Sequence, residues 1–298
     1  MNNIHELLLP KYLHSVKGLE LLAKKTVASF LPGLHQSKRT GAGMEFSNYR
    51  TYQSGDDLRM LDWKLYARSD RFYIREAEQE KNIHVQFLID TSASMLHEDS
   101  GLQKIDYARF LIATIGWLAL QQGDRLSLQS MNEHQITRLG PKPGRKFFQR
   151  LLYQLLQLNC SGKFPNTANH FAPTTSKKEK HLLLFFTDLY EHHDEIFQTL
   201  KNYRRPQQEI ILFHLMGQNE LEMSFKGSVT LEDLETKQRI QLGSKEDRLK
   251  YKELLSERID GLKDQFTTMQ MDYLLVNMQE SPGSILPYFL KKRIHSRN

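Results

Sequence analysis

The chain has 298 residues, 39% of them hydrophobic and 26% charged, with a formal net charge of +6. That balance gives enough apolar chain for a real core and excludes a disordered or fibrous polymer. Cys160 is the only cysteine, which excludes an internal disulfide and leaves a cysteine-based zinc site without ligands.

Residues 1–10 hold an apolar Leu7-Leu8-Leu9 beside Glu6 and no basic run, so no signal peptide is expected. The longest nearly apolar stretch, residues 110–120, is far shorter than the roughly 20 residues of a membrane helix. No membrane span and a cytoplasmic location are therefore expected. Val16, Leu19, Ala23, Val27 and Phe30 recur at three and four residues, which predicts an amphipathic helix over 11–31, stopped by Pro32-Gly33. Residues 37–43 read as a loop. Residues 41–79 mix dense charge of both signs with aromatics. Their end, 72–78, is expected to fold back beside the next strand as a hairpin through Glu80-Lys81-Asn82.

Residues 84–95 form an apolar run that ends abruptly in Asp90, Ser92 and Ser94. This pattern predicts a buried strand with oxygen donors at its carboxyl end, where open α/β sheets bind ligands. Ile105, Ala108, Ile112, Ile115 and Ala119 predict a largely buried helix, with Gly123 as its stop. Residues 125–130 alternate as a strand, and Asn132-Glu133 turns it into an antiparallel edge partner at 135–139. A leucine-rich amphipathic helix follows over 147–158, then a long polar loop over 159–176. A second apolar strand, 182–186, ends in Thr187-Asp188. The remainder reads as a helix at 191–203, a strand at 209–215, a hairpin within 225–243, a helix from Ser244 to about residue 266, a strand at 271–277 and a helix at 283–293.

Alternation at this spacing predicts an α/β fold. It is a doubly wound, mostly parallel sheet of Rossmann-like kind with an antiparallel edge, preceded by a helical and extended N-terminal segment. Residues 1–80 are expected to pack on the sheet, and 81–298 to form the sheet domain itself.

Asp90, Ser92 and Ser94 offer one carboxylate and two hydroxyls within five residues. Hard oxygens with little charge suit magnesium that keeps some of its water; manganese and calcium are the alternatives. The plain structural alternative is a strand-ending turn and a helix cap. The D-x-S-x-S pattern resembles the first loop of the metal-ion-dependent adhesion site of von Willebrand factor A domains. That resemblance implies that the two serines ligate directly, that Asp90 acts through water, and that a partner's carboxylate fills the open position. It also implies a threonine from a second loop and an aspartate from a third. Asp188, after its apolar strand, matches the third loop. Thr167 is assigned to the second, with Thr174 or Thr175 as alternatives. Haloacid-dehalogenase-type phosphatases also start with a strand-ending aspartate, but in D-x-D-x-T. Ser92 stands where their general acid would be, and a hydroxyl is too weak an acid for that role. Glu191, His192, His193 and Asp194 read as a solvated helix start rather than a transition-metal site. No phosphate-binding G-x-x-x-x-G-K-[ST] loop exists, so ATP hydrolysis is not expected.

Residues 41–95 carry Gly41, Gly43, Glu45, Phe46, Arg50, Tyr52, Gly55, Asp56, Asp57, Arg59, Asp62, Trp63, Ala67 and Arg68, followed by the strand and Asp90-Thr91-Ser92-Ala93-Ser94-Met95. This long motif resembles the bacterial "domain of unknown function 58" family, with Leu61 in place of its usual isoleucine. The resemblance implies a von Willebrand A-like domain over 81–298, and MoxR-type AAA+ ATPases and other von Willebrand A proteins as partners. Arg50, Arg59 and Arg68 with Asp56, Asp57 and Asp62 are expected to form a buried or interfacial ion network, anchored by Trp63, Tyr52 and Phe46. The functional alternative is a docking face for the ATPase.

The expected function is a non-enzymatic, magnesium-dependent protein-interaction module that takes an acidic residue of its partner at the metal. The alternatives are a metal-dependent phosphoester hydrolase and a basic nucleic-acid binder. A pI near 9.2 reads first as solubility and, more sharply, as an acidic partner or nucleic acid; no recognisable nucleic-acid module accompanies the scattered basic residues, so nucleic acid is not the expected partner.

Overall fold

The computed structural model describes residues 10–40, 48–58, 61–76, 82–166, 180–190, 194–204, 208–223, 229–242, 245–280 and 285–295. They fall into two compact units, residues 1–30 with 82–298 and residues 31–81.

The larger unit is built on a six-stranded sheet. Its strands are β3 (His84–Asp90), β6 (Arg125–Met131), β7 (Ile136–Lys142), β8 (His181–Thr187), β9 (Gln208–Met216) and β12 (Asp272–Asn277), in the order β12-β9-β8-β3-β6-β7. All pairs are parallel except β6 with β7, so the expected parallel sheet with one antiparallel edge is what forms. The apolar runs of β3 and β8 sit side by side at the centre, and every residue of both is buried. A strand buried on both faces cannot alternate, which is why these two read as continuous apolar runs. Pro141 falls on the edge strand β7, where a missing N–H costs no ladder bond inside the sheet.

Helices cover both faces. Helix α4 (Lys104–Gln121) packs on β3, β6 and β9, and Gly116 brings its backbone close to Phe87 and Phe148. The opposite face holds Leu88, Leu183, Phe185 and Leu212, packed with Ile196 and Leu200 of α6 (Glu195–Tyr203) and with Leu262 and Phe266 of α8 (Lys245–Thr268). Helix α5 (Arg145–Leu156) lies against α4. Two N-terminal helices, α1 (Pro10–Leu13) and α2 (Val16–Thr40), precede the sheet. Glu20 of α2 pairs with Arg145 of α5 at 3.0 Å. Lys24 lies over the Trp117 ring of α4, 4.7 Å from its centre. Short elements complete this unit: β4 (Glu98–Asp99) with β5 (Leu102–Gln103), α7 (Gln218–Glu222), the hairpin β10 (Val229–Glu232) with β11 (Arg239–Leu242), and α9 (Ile285–His295).

Two local expectations are corrected. Helix α2 runs through Pro32 to Thr40, so neither the stop at Pro32-Gly33 nor the start of the following loop falls where expected. A proline in a helix removes one backbone bond, and the neighbouring turns keep theirs. The second correction concerns residues 72–78. Strand β2 (Tyr73–Glu76) pairs antiparallel with β1 (Asn48–Thr51), not with β3. Strand β3 has no free edge to offer, because β6 and β8 occupy both.

The unit of residues 31–81 holds that β1–β2 ribbon and helix α3 (Trp63–Ser69). Leu61 bridges to Ile74, and both are buried. Tyr66 stacks on Phe72 with ring centres 4.4 Å apart.

Candidate functional site

The carboxyl ends of β3 and β8 lie next to each other, and the turns leaving them meet. Asp90 ends β3 fully buried. Its Oδ1 accepts the Ser92 N–H at 2.8 Å and its Oδ2 accepts the Thr187 hydroxyl at 2.8 Å. Ser92 and Ser94 hydroxyl oxygens are 2.9 Å apart, and Ser94 donates to Asp188 Oδ1 at 3.0 Å. Leu189 adopts a left-handed backbone, φ +53°, directly after Asp188. That bend lets the Leu189 N–H reach back to the Thr187 oxygen at 3.0 Å and the Tyr190 N–H to Asp188 Oδ1 at 3.3 Å. Asp90, Ser92, Ser94 and Asp188, four of the five residues expected to hold a metal, are thus gathered at one point.

Thr167 lies outside the described residues, as do Thr174 and Thr175. The chain leading to Thr167 is described as far as residue 166, and it runs beside the Asp90 turn. The Ala93 N–H donates to the Gly162 carbonyl at 2.9 Å, and the Ser161 N–H to the Thr91 carbonyl at 3.0 Å. His192, His193 and Glu191 also lie outside, so only Asp194 of that group is placed, ahead of α6.

Sequence reasoning missed three charged members of the cluster. Lys104, the first residue of α4, is 3% exposed; its ammonium donates to Asp188 Oδ2 at 3.0 Å and to Glu220 Oε1 at 2.8 Å. Glu220 lies on α7, 116 residues further along. Glu235 stands in the turn of the β10–β11 hairpin, where the negative charges of Asp188 and Asp90 act on its carboxyl. A lysine just before an apolar helical repeat looks like a solvated helix start, and nothing local shows that fold closure buries it. Thr187 had a signal, since it directly precedes Asp188 at the end of an apolar run.

The electrostatics follow from burial and from too few positive charges. Burial, then the negative charge of Asp188, push the Asp90 acid up to about 7, against the bonds from Ser92 and Thr187 that favour its carboxylate. Burial acts on Asp188 in the same direction, but the Lys104 ammonium outweighs it and holds that carboxyl below the usual range. Burial would also discharge Lys104; Asp188 and Glu220 more than reverse this and raise its proton affinity. Burial, then Asp188 and Asp90, push Glu235 up to about 8. Cys160 plays no nucleophilic part: burial, then Asp90, push its thiol up to about 12.

Among the described residues, no three His, Cys, Asp or Glu side chains form a metal-holding group. The donor set at β3 and β8 is of another kind, two carboxylates and two hydroxyls. An octahedral magnesium holds its oxygens at roughly 2.0–2.1 Å, which puts neighbouring ligands about 2.9 Å apart. The spacings of Ser92 Oγ to Ser94 Oγ and of Ser94 Oγ to Asp188 Oδ1, 2.9 and 3.0 Å, match that edge. The donors suit magnesium in chemistry, and the same spacings are those of the hydrogen bonds that Ser92, Ser94 and Asp188 make with one another.

The N-terminal motif is placed differently from expectation. Arg50 lies in β1 opposite Ile74, and Arg59 and Phe46 lie outside the described residues. Tyr52 is half-buried against Phe72, with ring centres 6.2 Å apart. Asp56 accepts the Gln53 N–H at 2.8 Å, closing a turn. Asp62 caps α3, accepting the Lys64 and Leu65 N–H groups at 3.0 Å each. Asp57 and Arg68 are exposed, and Trp63 is 62% exposed. The ion network expected of Arg50, Arg59 and Arg68 with these aspartates depends in part on Arg59, outside the described residues, and Trp63 is largely exposed rather than a buried anchor. Two of the aspartates work locally, on turn and helix N–H groups. Asp62→Ala should therefore cost about 1 kcal/mol, seen as faster amide exchange at Lys64 and Leu65; unchanged exchange there refutes the cap.

A family described as "protein of unknown function DUF58" matches residues 48–258. The chain belongs to the DUF58 family. Among curated proteins it is similar to the uncharacterized proteins Rv1480 of Mycobacterium tuberculosis and Mb1516 of Mycobacterium bovis, each 30% identical over 143 residues. The match covers 48% of the DUF58 chain and spans only 45% of the length of those relatives. Three solved structures are also similar. BatB from Bacteroides thetaiotaomicron has a TM-score of 0.45 at 12% identity, over 72% of this chain and 100% of its own. An aerotolerance-related membrane protein from Bacteroides fragilis has a TM-score of 0.43 at 14% identity, over 71% and 100%. An uncharacterized membrane spanning protein from Vibrio fischeri has a TM-score of 0.21 at 14% identity, over 71% and 98%. The expected cytoplasmic location is withdrawn here: two of these three structures are titled as membrane proteins. Among the described residues, no helix is long and apolar enough to cross a membrane.

Proposed function

We propose that this DUF58 chain is a non-enzymatic, magnesium-dependent protein-interaction module of the von Willebrand A type, serving as an adaptor for a MoxR-type AAA+ ATPase. The observation that carries this reading is the meeting of the oxygen donors Ser92, Ser94 and Asp188 around a fully buried Asp90. Asp90 organises the turn rather than reacting, since both of its oxygens are held, one by the Ser92 N–H and one by the Thr187 hydroxyl. That supports the non-enzymatic reading over a phosphatase, whose aspartate must be free to attack. Ser92, Ser94 and Asp188 would hold the ion, and bound magnesium would supply an electrophilic centre for a partner's carboxylate.

The unit of residues 31–81 supports a second contact. Leu58, Trp63 and Phe72 are 59%, 62% and 43% exposed. Exposed large apolar side chains, with an aromatic among them, are the material of binding hot spots.

The test is retention of the partner ATPase by the full chain, in magnesium and in chelator, for the natural sequence and for Asp90→Asn. Binding should weaken at least about tenfold in chelator and in the variant, because charge count sets the affinity of such sites. Equal retention with and without magnesium removes the metal-bridged mechanism.

A further inference from the structure

The positive charge of this chain is unevenly placed. Between Glu133 and Glu179 the sequence holds eight Lys or Arg and no Asp or Glu, more positive charge than the net +6 of the whole chain. Five of the eight, Arg138, Lys142, Arg145, Lys146 and Arg150, lie on β7 and α5, and all five are exposed. The apolar face of α5 is buried through Phe148, Leu151 and Leu155, so the helix turns its basic stripe outward. Glu20 of α2 reaches this surface, but it is buried and shared by Lys24 and Arg145, at 2.7 and 3.0 Å.

Strand β7 is also the end of the sheet. Among the described residues no strand pairs with its outer side. The Asn132 N–H donates to the Gln135 carbonyl, and Met131 turns its carbonyl the other way, to the Thr91 N–H. Bonding direction alternates along an antiparallel ladder, so Ile136, opposite Met131, presents its N–H and C=O groups to the outer edge. The alternation repeats along β7 as far as its bulge. A side chain added at Gly140 or Gly144 would meet no atom within 4 Å, so the surface is open at both. Bare strand edges pair with one another. Arg138, Pro141 and Lys142 keep a second copy of this chain from doing so, by like charge and by a missing N–H. The same charges draw an extended chain of opposite sign. A phosphate-bearing surface could use the charges, but it has no backbone to lay along β7.

We propose that β7 and the basic stripe of α5 form a docking edge for an acidic, extended segment of a protein partner, which adds to the sheet as a further strand beside β7. Backbone bonds to the edge supply the attachment, and Lys142, Lys146 and Arg150 select the sign of the incoming side chains. This goes beyond the magnesium-dependent contact proposed above and does not depend on it.

The probe is a fluorescent peptide of about ten residues that alternates glutamate with threonine, a strand former. It is titrated into the full chain in chelator, so that no metal contributes, and hydrogen exchange of the backbone amides is followed with and without it. The peptide should bind, and should lose affinity in about 0.3 M salt, which screens exposed charges. It should bind about tenfold more weakly to the double variant Lys146→Glu with Arg150→Glu; thermal melting confirms that the variant is folded. Bound peptide should slow exchange in β7 and leave β12, at the opposite edge, unchanged. No binding, or equal binding to the variant, overturns the docking edge. Binding that leaves exchange in β7 unchanged overturns the added strand. Tighter binding of a DNA duplex or of phosphatidylglycerol vesicles than of the peptide, lost in the same variant, assigns the basic surface to phosphates and overturns the proposal too.

Discussion

Lys104→Ala is expected to cost this protein about 3–5 kcal/mol of stability at neutral pH in the absence of a divalent cation. The Lys104 and Asp188 side chains are each only 4% exposed, and they meet at 3.0 Å. Truncation leaves Asp188 beside Asp90 and Glu235 with its ammonium gone, and unpaired buried charge is among the costliest defects a point mutation creates. The loss should shrink in mild acid, where Asp188 can take up a proton instead. It should also shrink with magnesium, because a cation that binds only the folded state stabilises it by mass action, about 2.7 kcal/mol at one hundred times its Kd. Urea unfolding of both proteins, with chelator and with magnesium, reads all of this. A loss below about 1 kcal/mol in chelator, within the range of exposed pairs, shows that Lys104 does not hold this corner of the site.

The second large effect is on pH. In the unfolded chain Asp90 titrates near 3.8, and in the folded chain near 7. Between those values the folded state keeps a proton that the unfolded state has released, so stability falls as pH rises through this window. The penalty is absent below the lower value and complete above the upper one. Glu235, pushed up to about 8, extends the decline in the same direction. Asp188 acts oppositely: its carboxyl is held down by Lys104, so its stabilisation is present above its unfolded value and is lost only in stronger acid. Buried His84 and His214, pushed down to about 3 by burial, act the other way up to about pH 6.5. The Asp90 contribution is therefore read as the difference from Asp90→Asn, which should fall by on the order of 2 kcal/mol between about pH 5 and pH 7.5 in metal-free protein. Saturating magnesium, which binds the ionised carboxylates, should flatten that slope. A difference between the natural chain and Asp90→Asn that does not change across the window contradicts the burial of Asp90 as described.

The sheet was legible in the sequence where burial is complete. The runs ending at Asp90 and Asp188 are apolar throughout because both faces of β3 and β8 are covered, and no other local structure asks for that pattern. The antiparallel edge at β7 was legible from its turn. Residues 72–78 misled because a short alternating strand does not name its partner: the same pattern serves β1 as well as β3. At the site, Asp90, Ser92, Ser94 and Asp188 could be assigned because each stands at a strand end or in the turn after one. Lys104 and Glu220 could not, since the contacts of Lys104 with Asp188 and Glu220 depend on chain closure over 84 and 116 residues rather than on any local spacing. In the charged N-terminal motif, charge sign alone did not reveal the local work of two aspartates: Asp62 and Asp56 also accept backbone N–H groups within three residues.

The central place of β3 also has a mechanical meaning. Its residues from His84 to Asp90 are laddered to β6 and, through Ile89, to β8, both parallel. The hydrogen bonds of a parallel ladder are evenly spaced along the strands, so a tug along β3 from its Asp90 end loads the rungs on both sides together, in shear, instead of peeling them one at a time. On the proposed adaptor role, a partner that grips the chain at that point can pull on it without tearing its handle out of the sheet.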